Sequence, residues 1–330
     1  MSLLESEIAE IPARLKGVAA ANRVAFTDSL MRFRVARPPA LFTIARGTSD
    51  AVAAYAGYRL TPALNLPVGS FAPSLASLDG ARPKNGGLWT LAISQSARSP
   101  DLIAAQAAFA DAGGVRFALV NDVNAPLATG ADVVLDQSAG AETSVAATKS
   151  FACSLLVVDL WAEALSGRAE GGDERCAAIA KATQEQMSTP LDLSLLESIE
   201  AAYVIGRGAS LPVANEAALK LKETSGLHAE AVSAAEVMHG PRAIAGKKLA
   251  VLGFAGPGPA GASVVEALKA LAEQGSPTIL VTAPKLADAL APAAPVPMIA
   301  GFYAALPALA RRRGRDPENP PSLSKVTLTR

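Results

Sequence analysis

Cysteine and histidine are both scarce in this sequence, which has two of each in 330 residues. Cys153 and Cys176 form no CxxC pair and stand in no cluster of metal-ligating residues, which argues against a thiol-based metal or redox site. Both thiols are expected in the core, where free cysteine behaves as a small apolar residue. Free thiols fit a reducing compartment, and we expect a cytoplasmic protein.

Net charge and long apolar runs are also lacking. Thirty basic residues balance thirty acidic ones, so no global field attracts nucleic acid or an anionic membrane, and the expected partner is a small molecule. Glu5, Glu7 and Glu10 interrupt the apolar residues near the N-terminus, which argues against a signal peptide or a transmembrane span. Aromatic residues make up only 5% of the chain, yet half of it is hydrophobic, enough for a large core in two domains.

What the sequence does have is an alternation of short apolar runs and helical segments. Residues 2–37 carry apolar residues at helical spacing. Apolar runs too short for helices follow at 40–45, 64–68, 88–93, 115–120 and 133–135. This alternation is typical of a parallel sheet covered on both faces, so the predicted fold class is α/β. Ligands of such sheets bind at the carboxyl ends of the strands.

A hydroxyl-rich turn, Ser94-Gln95-Ser96-Ala97-Arg98-Ser99-Pro100, follows the run at 88–93 and precedes a helical segment. Backbone N–H groups, hydroxyls and the positive end of a helix then meet in one place, which favours an anion. Three serines and Arg98 supply more donors than a carboxylate can use, so phosphate fits better. The alternative is an ordinary capped turn, because serine is common at helix starts.

The chain also contains an internal repeat. Phe42-Thr43-Ile44-Ala45-Arg46-Gly47-Thr48-Ser49 parallels Tyr203-Val204-Ile205-Gly206-Arg207-Gly208-Ala209-Ser210. Small and apolar residues in the segments that follow keep the same spacing. The repeat predicts two similar α/β units, each with an Arg-Gly-x-Ser turn between a strand and a helix.

Candidate acid/base residues lie in the second repeat. Glu216, Lys220 and Glu223 are spaced by four and three, so a helix places them on one face. A carboxylate can move a carbon-bound proton, and a histidine can open a sugar ring. His239 precedes Gly-Pro on a sharp turn, where an exposed functional role is expected; for His228 we expect a place in the core. No pair of histidines has metal-ligand spacing, so no metal is expected.

A G-x-G-x-x-G spacing at residues 256–261 matches a dinucleotide-binding turn. Pro257 and Pro259 remove N–H donors from that turn, and the next apolar run ends in Thr282-Ala283, without an acidic residue for a ribose. We therefore expect no nucleotide cofactor, and no other cofactor is indicated.

Local signals predict the remaining connections. A long apolar helix is predicted at residues 150–165. Residues 142–144 before it resemble a helix N-terminus with an acidic first turn; the alternative is a plain cap, which we favour for Glu142. Residues 194–200 resemble a connecting helix. The Ala-Pro repeats at 291–297 predict an extended linker, which a final helix at 298–311 follows.

These residues together resemble the SIS family of phosphosugar isomerases, and nearly the whole chain is similar to the isomerase domain of glucosamine-6-phosphate synthases. The matching pieces are Gly47-Thr48-Ser49, Ser94-Gln95-Ser96, Glu142 with Thr148-Lys149, Ala218-Leu219-Lys220-Leu221-Lys222-Glu223, His228-Ala229-Glu230, Glu236 with His239-Gly240-Pro241, and Leu323-Ser324-Lys325. The resemblance implies two flavodoxin-like (SIS) three-layer α/β/α subdomains with parallel sheets, and a homodimer.

The resemblance also implies roles for individual residues. The substrate-binding residues would be Gly47, Thr48, Ser49, Ser94, Gln95, Ser96, Ser99, Val145 and Ala147. Glu223 would transfer the proton, with Lys220 tuning it by its charge. His239 would open the sugar ring and reach the neighbouring subunit's pocket, and Lys325 would belong to a C-terminal lid.

Departures from the synthase pattern bear on the reaction. Arg46 stands where the synthases have cysteine, residues 97–99 replace Gly-Glu-Thr, and Met238 replaces lysine. No glutamine amidohydrolase domain precedes the unit in this sequence, so a built-in ammonia source is not expected. The Arg-Ser-Pro-Asp stretch at 98–101 and the tail resemble stand-alone deaminases. We therefore expect a deaminase and isomerase of glucosamine 6-phosphate or a close amino sugar phosphate. The alternatives are an isomerase or deglycase of another phosphosugar, and a non-catalytic sugar-phosphate sensor.

The expected domain organisation follows these assignments. The divisions are N-terminal helices at 1–37, a first SIS subdomain at 38–170, connecting helices at 171–200, a second SIS subdomain at 201–310, and a tail over the active site at 311–330.

Overall fold

A computed structural model describes residues 2–84, 86–168, 170–189 and 191–325 of the chain. Two compact units make up this part. The first unit contains residues 13–141 and 153–177, and the second contains residues 2–12, 142–152 and 178–325.

The first unit is built on a five-stranded parallel sheet. Its strands are β1 (Leu41–Ile44), β2 (Val68–Ser70), β3 (Trp89–Ser94), β4 (Arg116–Val120) and β5 (Val133–Asp136). Their spatial order is β2-β1-β3-β4-β5. Every residue of β3 is buried, including Thr90 and Ser94, as a largely apolar run predicts for a strand covered on both faces.

Twelve α-helices are found in the described ranges. They are α1 (Leu3–Ala9), α2 (Ile11–Leu15), α3 (Val18–Val35), α4 (Thr48–Leu64), α5 (Pro73–Ser77), α6 (Pro100–Ala107), α7 (Pro126–Thr129), α8 (Lys149–Leu165), α9 (Gly172–Ser188), α10 (Leu211–Ser225), α11 (Gly258–Glu273) and α12 (Pro295–Arg312). Short 3₁₀ turns lie at Ala110–Ala112, Ser194–Leu196, Gly208–Ser210, Glu236–Met238, Pro241–Ile244 and Asp288–Ala293. No helix in the described ranges combines the length and apolar character needed to cross a bilayer.

The second unit is built on a four-stranded parallel sheet. Its strands are β6 (Ala201–Gly206), β7 (His228–Ser233), β8 (Leu249–Ala255) and β9 (Thr278–Thr282), in the order β7-β6-β8-β9. This order matches β2-β1-β3-β4 of the first unit, so β1 corresponds to β6 and β3 to β8. Gly47 comes after β1 with φ of 57°, and Gly208 comes after β6 with φ of 58°. Glycine adopts such positive φ values without strain. The predicted fold class, two flavodoxin-like α/β subdomains with parallel sheets, is confirmed.

Two local predictions, a strand at 64–68 and a helix at 194–200, are wrong because turns form there. The apolar run at 64–68 is not a strand: α4 continues to Leu64, Asn65 ends it in the left-handed conformation, and β2 starts only at Val68. Residues 194–200 are not a helix: only Ser194–Leu196 forms a 3₁₀ turn, and the Asp192 carboxylate before it accepts a hydrogen bond from the Ser194 N–H.

Two further predictions failed at helix starts. The Ala-Pro repeats at 291–297 are not an extended linker. Pro292 lies in a 3₁₀ turn, and Pro295 and Pro297 lie in the first turn of α12, where a missing N–H costs no helical hydrogen bond. Residues 142–144 are not helical, whereas α8 begins at Lys149, one residue before its predicted start. The proposed domain boundaries remain predictions.

Candidate active site

The predicted phosphate-binding residues of the first unit lie on two adjacent turns. β1 and β3 are hydrogen-bonded neighbours in the sheet, so the turns after them, Gly47-Thr48-Ser49 and residues 94–99, lie side by side. The first turn leads into α4 and the second into α6. The structure therefore brings together seven of the nine predicted substrate-binding residues.

The turn after β3 is closed by a hydrogen bond between its backbone and the Ser94 side chain. Ser94 is buried, and its Oγ accepts a hydrogen bond from the Ala97 N–H at 3.1 Å. Ala97 has φ of 53°, an unusual value for a residue with a Cβ atom, and its carbonyl accepts a hydrogen bond from the Leu127 N–H. Because the Ser94 hydroxyl serves here as acceptor, its proton is available for an anion.

Several polar side chains of these turns are not used within the described part of the chain. Ser99 is the N-cap residue of α6, yet its side chain makes no capping hydrogen bond. Ser49, Gln95 and Ser96 are at least partly buried, and no side-chain hydrogen bond ties them to another described residue. Unused donors beside the positive ends of two helices suit a phosphate. Arg98, by contrast, donates to Asp122 at 2.7 Å on the exposed surface.

An ion pair links the two turns. Arg46, which follows β1 after Ala45, donates through Nε to Asp101 in the first turn of α6. The Asp101 side chain is fully buried, whereas 45% of the Arg46 side chain is exposed. The repeat draws attention to Arg46 in the sequence, but its partner was missed. Arg46 and Asp101 are 55 positions apart in the sequence, and local sequence patterns do not predict contacts at that separation.

The candidate acid/base residues form a connected group on α10 of the second unit. The Lys220 Nζ lies 2.7 Å from Glu223 Oε2 and 3.2 Å from Glu216 Oε1. Lys220 and Glu216 are fully buried, while 22% of the Glu223 side chain is exposed. Burial by itself would lower the pKa of Lys220, but the two carboxylates outweigh it and raise the pKa. Lys220 therefore stays charged and holds the carboxylate of Glu223 in place.

Tyr303 of α12 extends this group. Its hydroxyl donates to Glu216 Oε1 at 2.7 Å, and the side chain is fully buried. Burial and the carboxylate of Glu216 raise the pKa of Tyr303 well above its usual value, so the hydroxyl keeps its proton. From the sequence, this residue was assigned only to the final helix, because nothing local reveals a contact with α10.

Glu142 and Lys325 meet in the second unit. The Glu142 carboxylate accepts hydrogen bonds from the Thr148 N–H, the Ser150 N–H and the Ser150 hydroxyl. The Lys325 Nζ lies 3.6 Å from Glu142 Oε2. Glu142 thus binds the N-terminus of α8 and faces the last described residue of the tail. The tail beyond Lys325, residues 326–330, lies outside the described residues.

The remaining predicted site residues are distributed over the second unit. Val145 and Ala147 are half-buried and alternate with buried neighbours in the loop before α8. His239 follows a 3₁₀ turn and is not buried, and no hydrogen bond or ion pair joins its side chain to a described residue such as Glu223. His228 is the exposed first residue of β7, so the expectation of a core histidine is wrong. In the described ranges, no three His, Cys, Asp or Glu side chains are placed to hold a metal ion.

The comparisons with known proteins agree with this arrangement of sheets and turns. The family described as the SIS domain matches residues 35–164 and 195–300. The chain belongs to the SIS-domain family. A glutamine–fructose-6-phosphate aminotransferase (isomerizing) from Pyrobaculum aerophilum is 33% identical over 72% of this SIS chain and 43% of its own length. The SIS chain thus spans about half, or less, of the curated relatives it matches.

Solved structures show the same SIS fold. A candidate phosphosugar isomerase from Silicibacter pomeroyi has a TM-score of 0.86 and 32% identity, with 96% of this chain and 100% of that chain covered. The glucosamine-6-phosphate deaminase of Thermotoga maritima has a TM-score of 0.76 and 18% identity, with 99% of this chain and 100% of that chain covered. At that identity, the likeness to the deaminase shows the fold alone.

Proposed function

We propose that this SIS protein is an amino-sugar-phosphate deaminase and isomerase, which converts glucosamine 6-phosphate to fructose 6-phosphate and ammonia without a metal ion. The observation that carries the proposal is the Glu223 carboxylate, which is partly exposed and held at 2.7 Å by a fully buried ammonium group. Such a carboxylate can take a proton from carbon and return it. The name of the Thermotoga maritima deaminase, whose fold this chain shares, is compatible with the proposal.

The phosphate group is assigned to the turns of the first unit. Ser49, Ser96 and Ser99 offer hydroxyl donors that no described residue uses, and α4 and α6 start beside them. A phosphate carries three acceptor oxygens and a charge of nearly two, which match donors and helix dipoles. Gly47, Thr48, Ser94 and Gln95 complete the proposed set, and Val145 and Ala147 are assigned to the sugar.

The proposed reaction begins with the open-chain amino aldose. Glu223 takes the proton from C2, and the electrons form an enolamine between C1 and C2. The same proton or one from water returns to C1, which gives a ketimine at C2. Water then adds to C2 and ammonia leaves, so that the products are the ketose phosphate and NH₃.

Three further roles complete the proposal. His239 transfers the proton of the ring hydroxyl during ring opening and does so for the neighbouring subunit of a homodimer, which fits its accessible position. Lys325 belongs to a tail that covers the substrate. Lys220 orients Glu223, and its charge favours the negative transition state.

Purified protein incubated with glucosamine 6-phosphate tests the proposal, with ammonia and fructose 6-phosphate measured together. We expect both products in equal amounts. Glu223→Gln should lower kcat by about 10²–10⁴-fold, because general acid/base catalysis contributes that much. The matched control is Glu185→Gln on α9, an exposed glutamate, which should leave kcat unchanged. Full activity of Glu223→Gln would refute the assignment.

A second candidate function is isomerisation of another phosphosugar without ammonia release. The name of the Pyrobaculum aerophilum relative, an isomerizing aminotransferase, favours this candidate because aldose–ketose isomerisation uses the same proton transfer. A panel of ketose and aldose 6-phosphates, assayed for interconversion, separates the two functions. Tight binding of a sugar phosphate without turnover would instead indicate a sensor.

A further inference from the structure

The ion pair between Arg46 and Asp101 in the first unit has an asymmetry that suggests a ligand. Arg46 binds the fully buried Asp101 through Nε, at the inner edge of its guanidinium group. The second Asp101 oxygen accepts the Leu102 N–H at 2.9 Å. The two Nη groups of Arg46 make no hydrogen bond with any described residue, and 45% of the side chain is exposed. The outer edge of the guanidinium therefore keeps a fork of donors.

The position of this fork is the second observation. Arg46 directly precedes Gly47-Thr48-Ser49, and Asp101 directly follows Ser99 and Pro100 on the neighbouring turn. The fork thus stands at the junction of the two turns that carry unused hydroxyl donors. A planar guanidinium binds two phosphate oxygens at once, which a hydroxyl cannot do.

Charge gives Asp101 a role in this arrangement. A carboxylate in the first turn of α6 is attracted by the helix dipole, but it repels an anion that binds at the same helix end. Arg46 neutralises that carboxylate, and the carboxylate in turn fixes the rotamer of Arg46. A long side chain fixed before the ligand arrives loses less conformational entropy on binding.

The internal repeat offers a comparison. Arg207 occupies the position of Arg46 in the second unit, and α11 corresponds to α6. No acidic residue lies in the first turn of α11, and Arg207 forms no ion pair with a described residue. The carboxylate partner is therefore a property of the first unit and not a necessity of the fold.

We propose that Arg46 binds the phosphate group of the ligand and that Asp101 is its positioning residue. The inference rests on the phosphate site of the proposed function, and it adds a bidentate cation to that site. It requires a phosphorylated ligand but no particular reaction.

Binding of inorganic phosphate and of glucose 6-phosphate, measured by isothermal titration calorimetry, tests the inference. Arg46→Ala should weaken both by about 10- to 100-fold, as expected for the loss of hydrogen bonds between charged groups. Arg46→Lys should recover part of the loss, because lysine keeps the charge but not the fork. Arg207→Ala is the matched control and should bind both ligands as the wild type does. Wild-type affinity in Arg46→Ala would overturn the inference.

Two additional measurements keep the outcome decisive. If Arg46→Ala does not fold, Arg46→Gln replaces it, because the amide can still donate to Asp101; the same loss of affinity is expected, and none would overturn the inference. Asp101→Asn should weaken the binding of phosphate, and adding it to Arg46→Ala should cause no further loss, because Asp101 acts through Arg46; additive losses would indicate a merely structural role. Wild-type phosphate affinity in folded Asp101→Asn contradicts the positioning role.

The result is separable from the proposed reaction. Phosphate binding is measured without turnover, so a protein that leaves glucosamine 6-phosphate unchanged but loses phosphate affinity in Arg46→Ala supports the inference and refutes the reaction. If the wild type releases ammonia and the Arg46→Ala variant binds phosphate with wild-type affinity, the reaction is supported and the inference is refuted.

Discussion

At the scale of single residues, the acid/base group owes its character to unequal burial. Glu216, Lys220 and Tyr303 are fully enclosed, and Glu223 alone of the four reaches solvent. A buried lysine between two carboxylates keeps its charge, since desolvation is offset by both neighbours. The arrangement places a fixed cation behind the one carboxylate that a ligand can approach.

Tyr303→Phe tests the inner end of this group. The substitution removes the hydroxyl that donates to Glu216 at 2.7 Å, and hydrogen bonds to charged groups are worth about 1.5–3 kcal/mol. We expect the free energy of unfolding to fall by that amount in urea denaturation followed by circular dichroism. The control is Tyr58→Phe, because Tyr58 is exposed and should cost little. Equal costs in both variants would contradict the role of Tyr303.

Sequence spacing predicted the three members of the acid/base group that lie on α10, but not the contact with Tyr303 of α12. Residues three and four apart on a helix are neighbours, so the spacing alone places Glu216, Lys220 and Glu223 on one face. The Tyr303 contact spans 87 residues, and the contact of Arg46 with Asp101 spans 55. Contacts of this kind depend on how helices pack, which local patterns do not record.

At the scale of elements, two glycines within helices, Gly57 and Gly261, differ in the space around them. A Cβ atom at Gly261 would lie 1.7 Å from the Gly256 carbonyl oxygen, so the start of α11 packs directly on the preceding turn. A Cβ atom at Gly57, inside α4, would meet nothing within 4 Å. Close packing thus explains the third glycine of the G-x-G-x-x-G spacing at 256–261.

The two glycines give a paired prediction for alanine substitution. Gly57→Ala should raise the free energy of unfolding by about 1 kcal/mol, because alanine favours a helix interior over glycine. Gly261→Ala should lower it by about 3 kcal/mol or more, because backbone must move to admit the methyl group. Thermal and urea unfolding of both variants measure the difference. A harmless Gly261→Ala would show that the turn before α11 is loosely packed.

The loop before α8 shows why helix starts are hard to predict. Residues 142–144 resemble a first helical turn in the sequence, but the Glu142 carboxylate accepts from the N–H groups of Thr148 and Ser150 from outside the helix, as a cap does. An acidic residue near a helix start is favoured in either arrangement. Composition alone therefore cannot distinguish a residue inside the first turn from one that caps it from a distance.

At the scale of the whole molecule, the repeat was the strongest signal in the sequence. Gly47 and Gly208 share a left-handed backbone, and the four shared strands have one order in both sheets. The repeat and the apolar runs were sufficient to predict two parallel α/β units. Polar residues that differ between the repeats led us to propose acid/base chemistry for the second unit and phosphate binding for the first.

The stability of the first unit should depend on pH through Asp159. Burial raises the pKa of Asp159 to about 6, although the Arg59 guanidinium and the Tyr55 hydroxyl act in the opposite direction. The folded state therefore holds this proton more tightly than the unfolded chain does. The resulting stabilisation, about 3 kcal/mol, is complete below about pH 4 and is lost as the pH rises through 6.

Tryptophan fluorescence can follow this effect, because Trp89 and Trp161 are both buried in the first unit. Urea unfolding between pH 4 and 7 should show a smaller loss of stability with rising pH in Asp159→Asn than in the wild type. Asp28→Asn, which alters an exposed ion pair, should follow the wild type. An identical pH dependence in Asp159→Asn would contradict the assignment.

The most direct test of the central claim follows a single hydrogen. Glucosamine 6-phosphate is converted in D₂O, and C1 of the fructose 6-phosphate product is examined by NMR. Because 22% of the Glu223 side chain is exposed, water can exchange with the proton it carries. We predict that at least part of the product has one deuteron at C1 and that Glu223→Gln forms this product at about 10²–10⁴-fold lower rate. A product formed at the wild-type rate by Glu223→Gln, with or without deuterium at C1, would contradict proton transfer through this carboxylate.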